Sequence, residues 1–199
     1  MMIFLDKSLV FFATPKTGST AFHKAFGSKA DILFTKNPRV THIAPKRFNK
    51  MIAPYVRPLM SEPVNSIALI REPIEWLGSW YRYRQRGENL NTSSSTADVS
   101  FDEFVEAYLG NDRPKYANVG QQAQFITGGG DKPLVTQLWR YTAIDDLTLY
   151  LRLQLGFNFK LEQVNVSPKR ALSLSPENNR TLQSHFQKDF DLYENAIGG

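Results

Sequence analysis

The sequence contains no cysteine. Disulfides, thiolate nucleophiles and cysteine-based zinc sites are therefore excluded, although the redox compartment is left open. Histidine is scarce: His23, His42 and His185 are the whole set, so any imidazole chemistry has three candidates. No apolar run approaches transmembrane length. Asp6 and the lack of a basic leading segment argue against a signal peptide, and the expectation is a soluble cytoplasmic protein without a membrane span. No internal repeat is visible. No cluster of residues has the spacing of a metal site, so no metal is expected.

What is present fits one globular domain over residues 1–199, with 42% apolar residues. The net charge of +5 and pI near 9.4 suit an acidic ligand, or a weak nucleic-acid binder.

Leu9 to Ala13 is a short continuous apolar run, the mark of a strand buried on both faces. Ala21, Phe22, Ala25 and Phe26 give the next segment one apolar helical face, and Gly27 is a natural stop. Ile32 to Phe34 can form a short strand, and the prolines between Asn37 and Pro63 predict loops and short helices. Ser66 to Ile70 reads as a second buried strand. Pro73 opens a helix running to Arg86 before Gly87. The Ser/Thr-rich stretch Glu88 to Val99 reads as a mobile surface loop. Ser100-Phe-Asp-Glu103 has the form of a capping box for a helix through Leu109. Leu134 to Trp139 is a strand candidate, and Thr142 can cap a helix ending at Gly156. A last helix starts at Ser175, with Leu182, Phe186, Phe190, Tyr193 and Ile197 as its buried stripe. Strand, helix, strand, helix implies an α/β fold: three layers around a mostly parallel sheet flanked by helices. Ligands in such folds sit at the carboxyl ends of the strands.

Two segments at strand ends carry chemistry. Pro15-Lys16-Thr17-Gly18-Ser19-Thr20 joins a strand to a helix N-terminus, where unpaired N–H groups and the helix dipole favour an anion. Gly18 permits close backbone approach, Ser19 and Thr20 add hydroxyls, and Lys16 adds a full charge. A helix capped by serine after an ordinary turn would read similarly, but needs neither the lysine nor the Thr-Gly-Ser-Thr cluster. The Walker A pattern is not met, because the lysine precedes the glycine. Arg71, just past the second strand, can grip a phosphate bidentately, and Ser79 lies about two helical turns on. Arg71 equally suits a salt bridge to Glu72 or Glu75, and Ser79 close helix packing. Two anion sites at adjacent strand ends suit a ligand with two separated phosphates.

The loop Thr14 to Thr20 resembles the 5'-phosphosulfate loop of sulfotransferases that use 3'-phosphoadenosine-5'-phosphosulfate. Ile70-Arg-Glu-Pro-Ile-Glu-Trp-Leu-Gly-Ser-Trp-Tyr81 resembles their 3'-phosphate motif, with the same arginine-to-serine spacing and chain order. Leu155-Gly156 to Arg170 is similar to the C-terminal part of the carbohydrate-sulfotransferase branch. The resemblance implies a P-loop-like fold and the sulfated nucleotide as donor. It implies that Pro15, Lys16, Thr17, Gly18, Ser19 and Thr20 hold the phosphosulfate, that Arg71 and Ser79 hold the 3'-phosphate, and that Lys169 or Arg170 closes over the donor. Ala21 and Phe22 stand where cytosolic members often place a tryptophan.

Sulfuryl transfer to an acceptor hydroxyl or amine, with a carbohydrate as one acceptor class, would place Lys16 beside the breaking bond and call for a base. His42, between the two anion motifs, is the candidate base; a loop histidine bonded to backbone reads equally well, and a glutamate or aspartate is the alternative base. Gln121, Gln122 and Gln124 are candidates to bond sugar hydroxyls. Two rival readings are a P-loop nucleotide kinase and a non-catalytic module for an anionic polymer. The second would use Lys46, Arg47, Lys50 and Arg57, or Arg82, Arg84 and Arg86 with Tyr81 and Tyr83. Nucleic acid is not the expected partner.

Overall fold

A computed structural model describes residues 1–162 and 172–199. Two compact units emerge along the chain. The first comprises Met1–Arg71, Gln122 to residue 162, and Leu192–Gly199; the second comprises Glu72–Gln121 and residues 172–191.

The first unit is built on a five-stranded sheet. Strands β1 (Met2–Phe4) and β2 (Leu9–Phe11) form a hairpin across the Leu5–Ser8 turn, where Ser8 takes φ 47° and its N–H donates to Leu5 O at 2.9 Å. Helix α1 (Ser19–Phe26) follows, then β3 (Ile32–Leu33) and the short helices α2 (Pro38–Thr41), α3 (Pro45–Met51) and α4 (Ala53–Val56). Strand β4 (Asn65–Ile70) leads out of the unit into α5 (Pro73–Arg84) and α6 (Phe101–Leu109). The chain returns with α7 (Gln122–Thr127), β5 (Gln137–Arg140) and α8 (Ile144–Leu155), and continues later as α9 (Pro176–His185) and α10 (Gln187–Glu194).

The strand order is β3-β1-β2-β4-β5. β2–β4 and β4–β5 pair in parallel, whereas β1 pairs antiparallel with both β2 and β3. The fold is thus α/β with a mixed sheet flanked by helices, and the expected mostly parallel sheet is corrected. The reason is local: the hairpin loop after β1 is far too short for the crossover that a parallel neighbour requires.

Alternation along the strands supplies both faces with apolar side chains. Val10, Phe12, Ala68, Ile70 and Leu138 pack with Phe48, Val56, Ile126 and Leu192. Leu9, Phe11, Ile67, Leu69 and Trp139 pack with Phe22, Phe26, Leu147 and Leu151. Phe22 and Phe26, one turn apart on α1, both meet the ring of Phe11, at 4.7 and 6.0 Å between centroids. Each is fully buried, and truncation of either to alanine costs about 3–5 kcal/mol.

In the second unit Trp76, Leu77, Tyr81, Phe101, Phe104, Tyr108, Leu182 and Phe186 form the core. Ser100 caps α6 in a complete capping box with Glu103. Ser175 caps α9, and its own N–H donates to Asp102 at 2.7 Å. Polar as it is, the stretch from Glu88 to Val99 is tied down: Thr96 is fully buried and donates to Tyr81 O, and Tyr81 donates to Val99 O.

Four local expectations shift. The strand at Leu134–Trp139 becomes Gln137–Arg140, because Leu134 N–H bonds back to Ile126 O in a turn. α5 ends at Arg84, and Gly87 opens a 3-10 turn instead of closing the helix. Thr142 lies inside a 3-10 turn, and the N-cap of α8 is Ala143. The C-terminal helix breaks at Phe186 (φ −117°, ψ 28°). Ile197, expected in its buried stripe, is 43% exposed and bridges Trp139 through the backbone, with Arg140 N–H donating to Ile197 O.

Candidate functional site

Three parallel strands end side by side in the first unit, and each delivers a site residue. Beyond β2 runs Thr14 to Gly18, beyond β4 comes Arg71, and beyond β5 comes Tyr141.

The loop after β2 has two residues in the left-handed region, Lys16 (φ 65°) and Gly18 (φ 75°, ψ 13°). Glycine adopts that conformation freely, but for lysine it costs about 1–2 kcal/mol. Two hydrogen bonds, each worth about 0.5–1.5 kcal/mol net, hold the strained turn. Thr17 Oγ1 donates to Thr14 O at 2.9 Å, and His42 Nδ1 donates to Ala13 O at 2.6 Å. The hydroxyl of Thr17 is therefore a staple of the loop, and what it has left to offer a ligand is its backbone. Left-handed Gly18 followed by right-handed Ser19 is the backbone alternation that turns successive N–H groups into an anion-binding nest. Gly18 itself is the N-cap of α1 and has no side chain to cap with, so Ser19 is not the cap that an ordinary serine-capped turn would require. A Cβ on Gly18 would lie 3.2 Å from the Tyr141 ring, which adds steric tightness to the conformational demand. Thr14 is fully buried, and its Oγ1 has no hydrogen-bond partner among the described residues.

Arg71 is fixed through its main chain. The buried amide of Gln122 accepts from Arg71 N–H at 3.0 Å and donates to Arg71 O at 2.8 Å, continuing the ladder one residue past the end of β4. The guanidinium lies over the Tyr141 ring, 4.9 Å from its centroid, an attraction of about 0.5–2 kcal/mol depending on desolvation. Tyr141 thus packs beside Gly18 and carries Arg71 on its face. The sequence reading missed it. The available signal was its position directly after the third strand, where ligand-facing residues concentrate.

His42 is half-buried. A carbonyl oxygen only accepts, so Nδ1 carries the hydrogen and the neutral ring keeps its lone pair on Nε2. Burial pushes its pKa down from 6.5; the Ala13 bond opposes this, and the Lys16 ammonium adds to it. Lys16 and His42 are therefore within electrostatic reach of each other. His42, Thr41, Ser19, Thr20, His23 and Lys24 line one cleft of about 460 Å³. Burial also holds His23 down to about 4, with the charge of His42 as a further cause.

The structure thus gathers Pro15 to Thr20, His42 and Arg71 in the first unit. Ser79 lies half-buried on α5 in the second. Lys169 and Arg170 lie outside the described residues. Two of the three glutamines proposed for an acceptor are committed inside the fold: Gln122 to Arg71, and Gln121, whose amide donates to Asp189 at 2.7 Å. The arginines on and just after α5 are also engaged, Arg82 with Glu75 at 3.4 Å, Arg84 with Lys115 O and the Trp80 ring, and Arg86 with the Tyr83 ring. Among the described residues no three histidine or carboxylate side chains gather as a metal-ligand group, and no helix is long and apolar enough to cross a membrane. No protein-family model matches the chain, and neither a curated protein nor a solved structure matches it.

Proposed function

We propose that this chain is a sulfotransferase that moves a sulfuryl group from 3'-phosphoadenosine-5'-phosphosulfate to an acceptor hydroxyl or amine, within a P-loop-like three-layer arrangement. The observation that carries the reading is the left-handed Lys16–Gly18 turn opening a helix whose N-cap is glycine, with Arg71 presented from the adjacent parallel strand. One anion site beside another suits a donor with separated phosphates, and a lysine ahead of the glycine favours this donor over a Walker-type triphosphate.

In the reaction the acceptor oxygen attacks sulfur in line with the 5'-phosphate. A new O–S bond forms as the bond from sulfur to the phosphate oxygen breaks, and adenosine 3',5'-bisphosphate leaves with the electron pair. Lys16 and the nest N–H groups stabilise the charge growing on the departing oxygen. The acceptor proton passes to Nε2 of His42, the ring atom left basic by the bond to Ala13. Arg71 holds the 3'-phosphate, and a carbohydrate hydroxyl is the acceptor class proposed.

Titration with adenosine 3',5'-bisphosphate and, separately, with ATP tests the site. The bisphosphate should bind in preference to ATP, and Lys16→Ala and Arg71→Ala should each weaken it by tenfold or more, as expected for lost charge-assisted bonds of about 1.5–3 kcal/mol. Equal binding by wild type and both variants, or a preference for ATP, would rule the assignment out.

A further inference from the structure

A second surface of the first unit has a different chemistry. Between Asp31 and Glu62 the chain carries Lys36, Arg39, Lys46, Arg47, Lys50 and Arg57 and no acidic residue. The middle of this stretch is nearly continuous helix: α3, then Ile52 in helical conformation, then α4 and a 3-10 turn at Arg57–Leu59. Phe48, Ile52 and Val56, spaced by four, pack into the core. Met51, Tyr55 and Leu59 have the same spacing, which puts them on a common face, yet they are 53%, 79% and 64% exposed.

Three large apolar side chains aligned in water are unusual in a folded surface and mark an interaction site. Their surroundings specify its partner. Arg47, Lys50 and Arg57 are exposed beside them. Arg47 donates to the Met51 sulfur and Arg57 to the Asn49 side chain, both neutral groups, so each keeps its full charge. An anionic polymer would engage the cations and leave Met51 and Leu59 in water. An apolar protein groove would have no use for the cations. An anionic bilayer satisfies both, with apolar side chains at the acyl boundary, the Tyr55 ring at headgroup level and the cations among the phosphates.

We propose that this face docks on membranes containing anionic phospholipid, holding the protein at the surface without spanning it. The inference does not rest on the sulfotransferase reading. Co-sedimentation of the full chain with phosphatidylcholine vesicles, with and without phosphatidylserine, tests it. Binding should need phosphatidylserine and weaken with salt. Lys50→Gln and Arg57→Gln should each lower the partition coefficient about fivefold. The triple variant Met51→Ser, Tyr55→Ser, Leu59→Ser keeps every charge and should lose most of the binding, while its circular dichroism and thermal midpoint show that it is folded. The inference is overturned if wild type stays in the supernatant, or if the folded triple variant binds as well as wild type. It is also overturned if single-stranded DNA or heparin binds the triple variant and wild type equally and more tightly than the vesicles do.

Discussion

His42 shows how one long-range hydrogen bond can select chemistry. Its Nδ1 is held by Ala13 O, its pKa lies below the usual imidazole value, and Lys16 discourages protonation further. The ring is therefore neutral at pH 7 with Nε2 basic. If it is the base, kcat/KM for transfer should be level across pH 7–8 and fall only on the acid side of 6.5, the ordinary imidazole value. Substitution His42→Gln should cut turnover by about 10²–10⁴-fold while affinity for adenosine 3',5'-bisphosphate is retained. Turnover at the wild-type rate, or a matching loss of affinity, would remove it from that role. A histidine at position 42 is plain in the sequence, but its partner, 29 residues away, could be found only in the folded chain.

At the scale of elements, the clearest device is the clamp between α7 and the end of β4. Gln122 supplies one acceptor and one donor to the backbone of Arg71, and is itself 1% exposed. Gln122→Leu should leave both groups unpaired and destabilise the protein by about 1–3 kcal/mol for each, seen as a lower denaturant midpoint with an unchanged slope. Bisphosphonucleotide affinity should fall with it, since the clamp aims Arg71. Unaltered stability would mean that water replaces the clamp. The helices and their stops were legible where local chemistry decides: the Ser100–Glu103 box, Pro73 and Ser175 at helix starts, and Gly156 at φ 77° closing α8. β1 was not legible, because Met2–Phe4 has no alternation, and two short apolar runs separated by Asp6 and Lys7 become a hairpin only when β3 and β4 flank them.

For the whole molecule, the depressed imidazoles tie stability to pH. His23 and His42 have folded pKa values below their unfolded value of 6.5, so over that interval the unfolded chain binds more protons. Stability is complete above pH 6.5 and declines as pH falls toward about 4, the folded value of His23. Asp102 and Glu103 are also held below their ordinary carboxylate values, Asp102 by the Ser175 N–H first and Glu103 by Ser100 first. Their contribution is present above those ordinary values and is lost at still lower pH. Chemical denaturation at pH 7.5 and at pH 5 should therefore show a lower midpoint at pH 5. Replacing His23 by Phe should flatten that difference, whereas an identical pH dependence in the variant would assign the effect elsewhere.

Local sequence was enough for the α/β class, the strand-to-helix turn at Lys16 to Thr20, the placing of Arg71 at a strand end, and the starts of α1, α5, α6 and α9. These depend on local propensity, caps and the period of apolar residues, which operate over a few positions. Long-range packing set the mixed sheet, the left-handed lysine, the tautomer of His42, the burial of Gln122 against Arg71 and the place of Tyr141 beside Gly18 and Arg71. Each of these is a bond or a packing contact between residues distant in the chain, and nothing in local spacing encodes it. The loop from Thr14 to Gly18 is written in one short run of residues, but the side chains packed against it, His42 and Tyr141, come from distant parts of the chain.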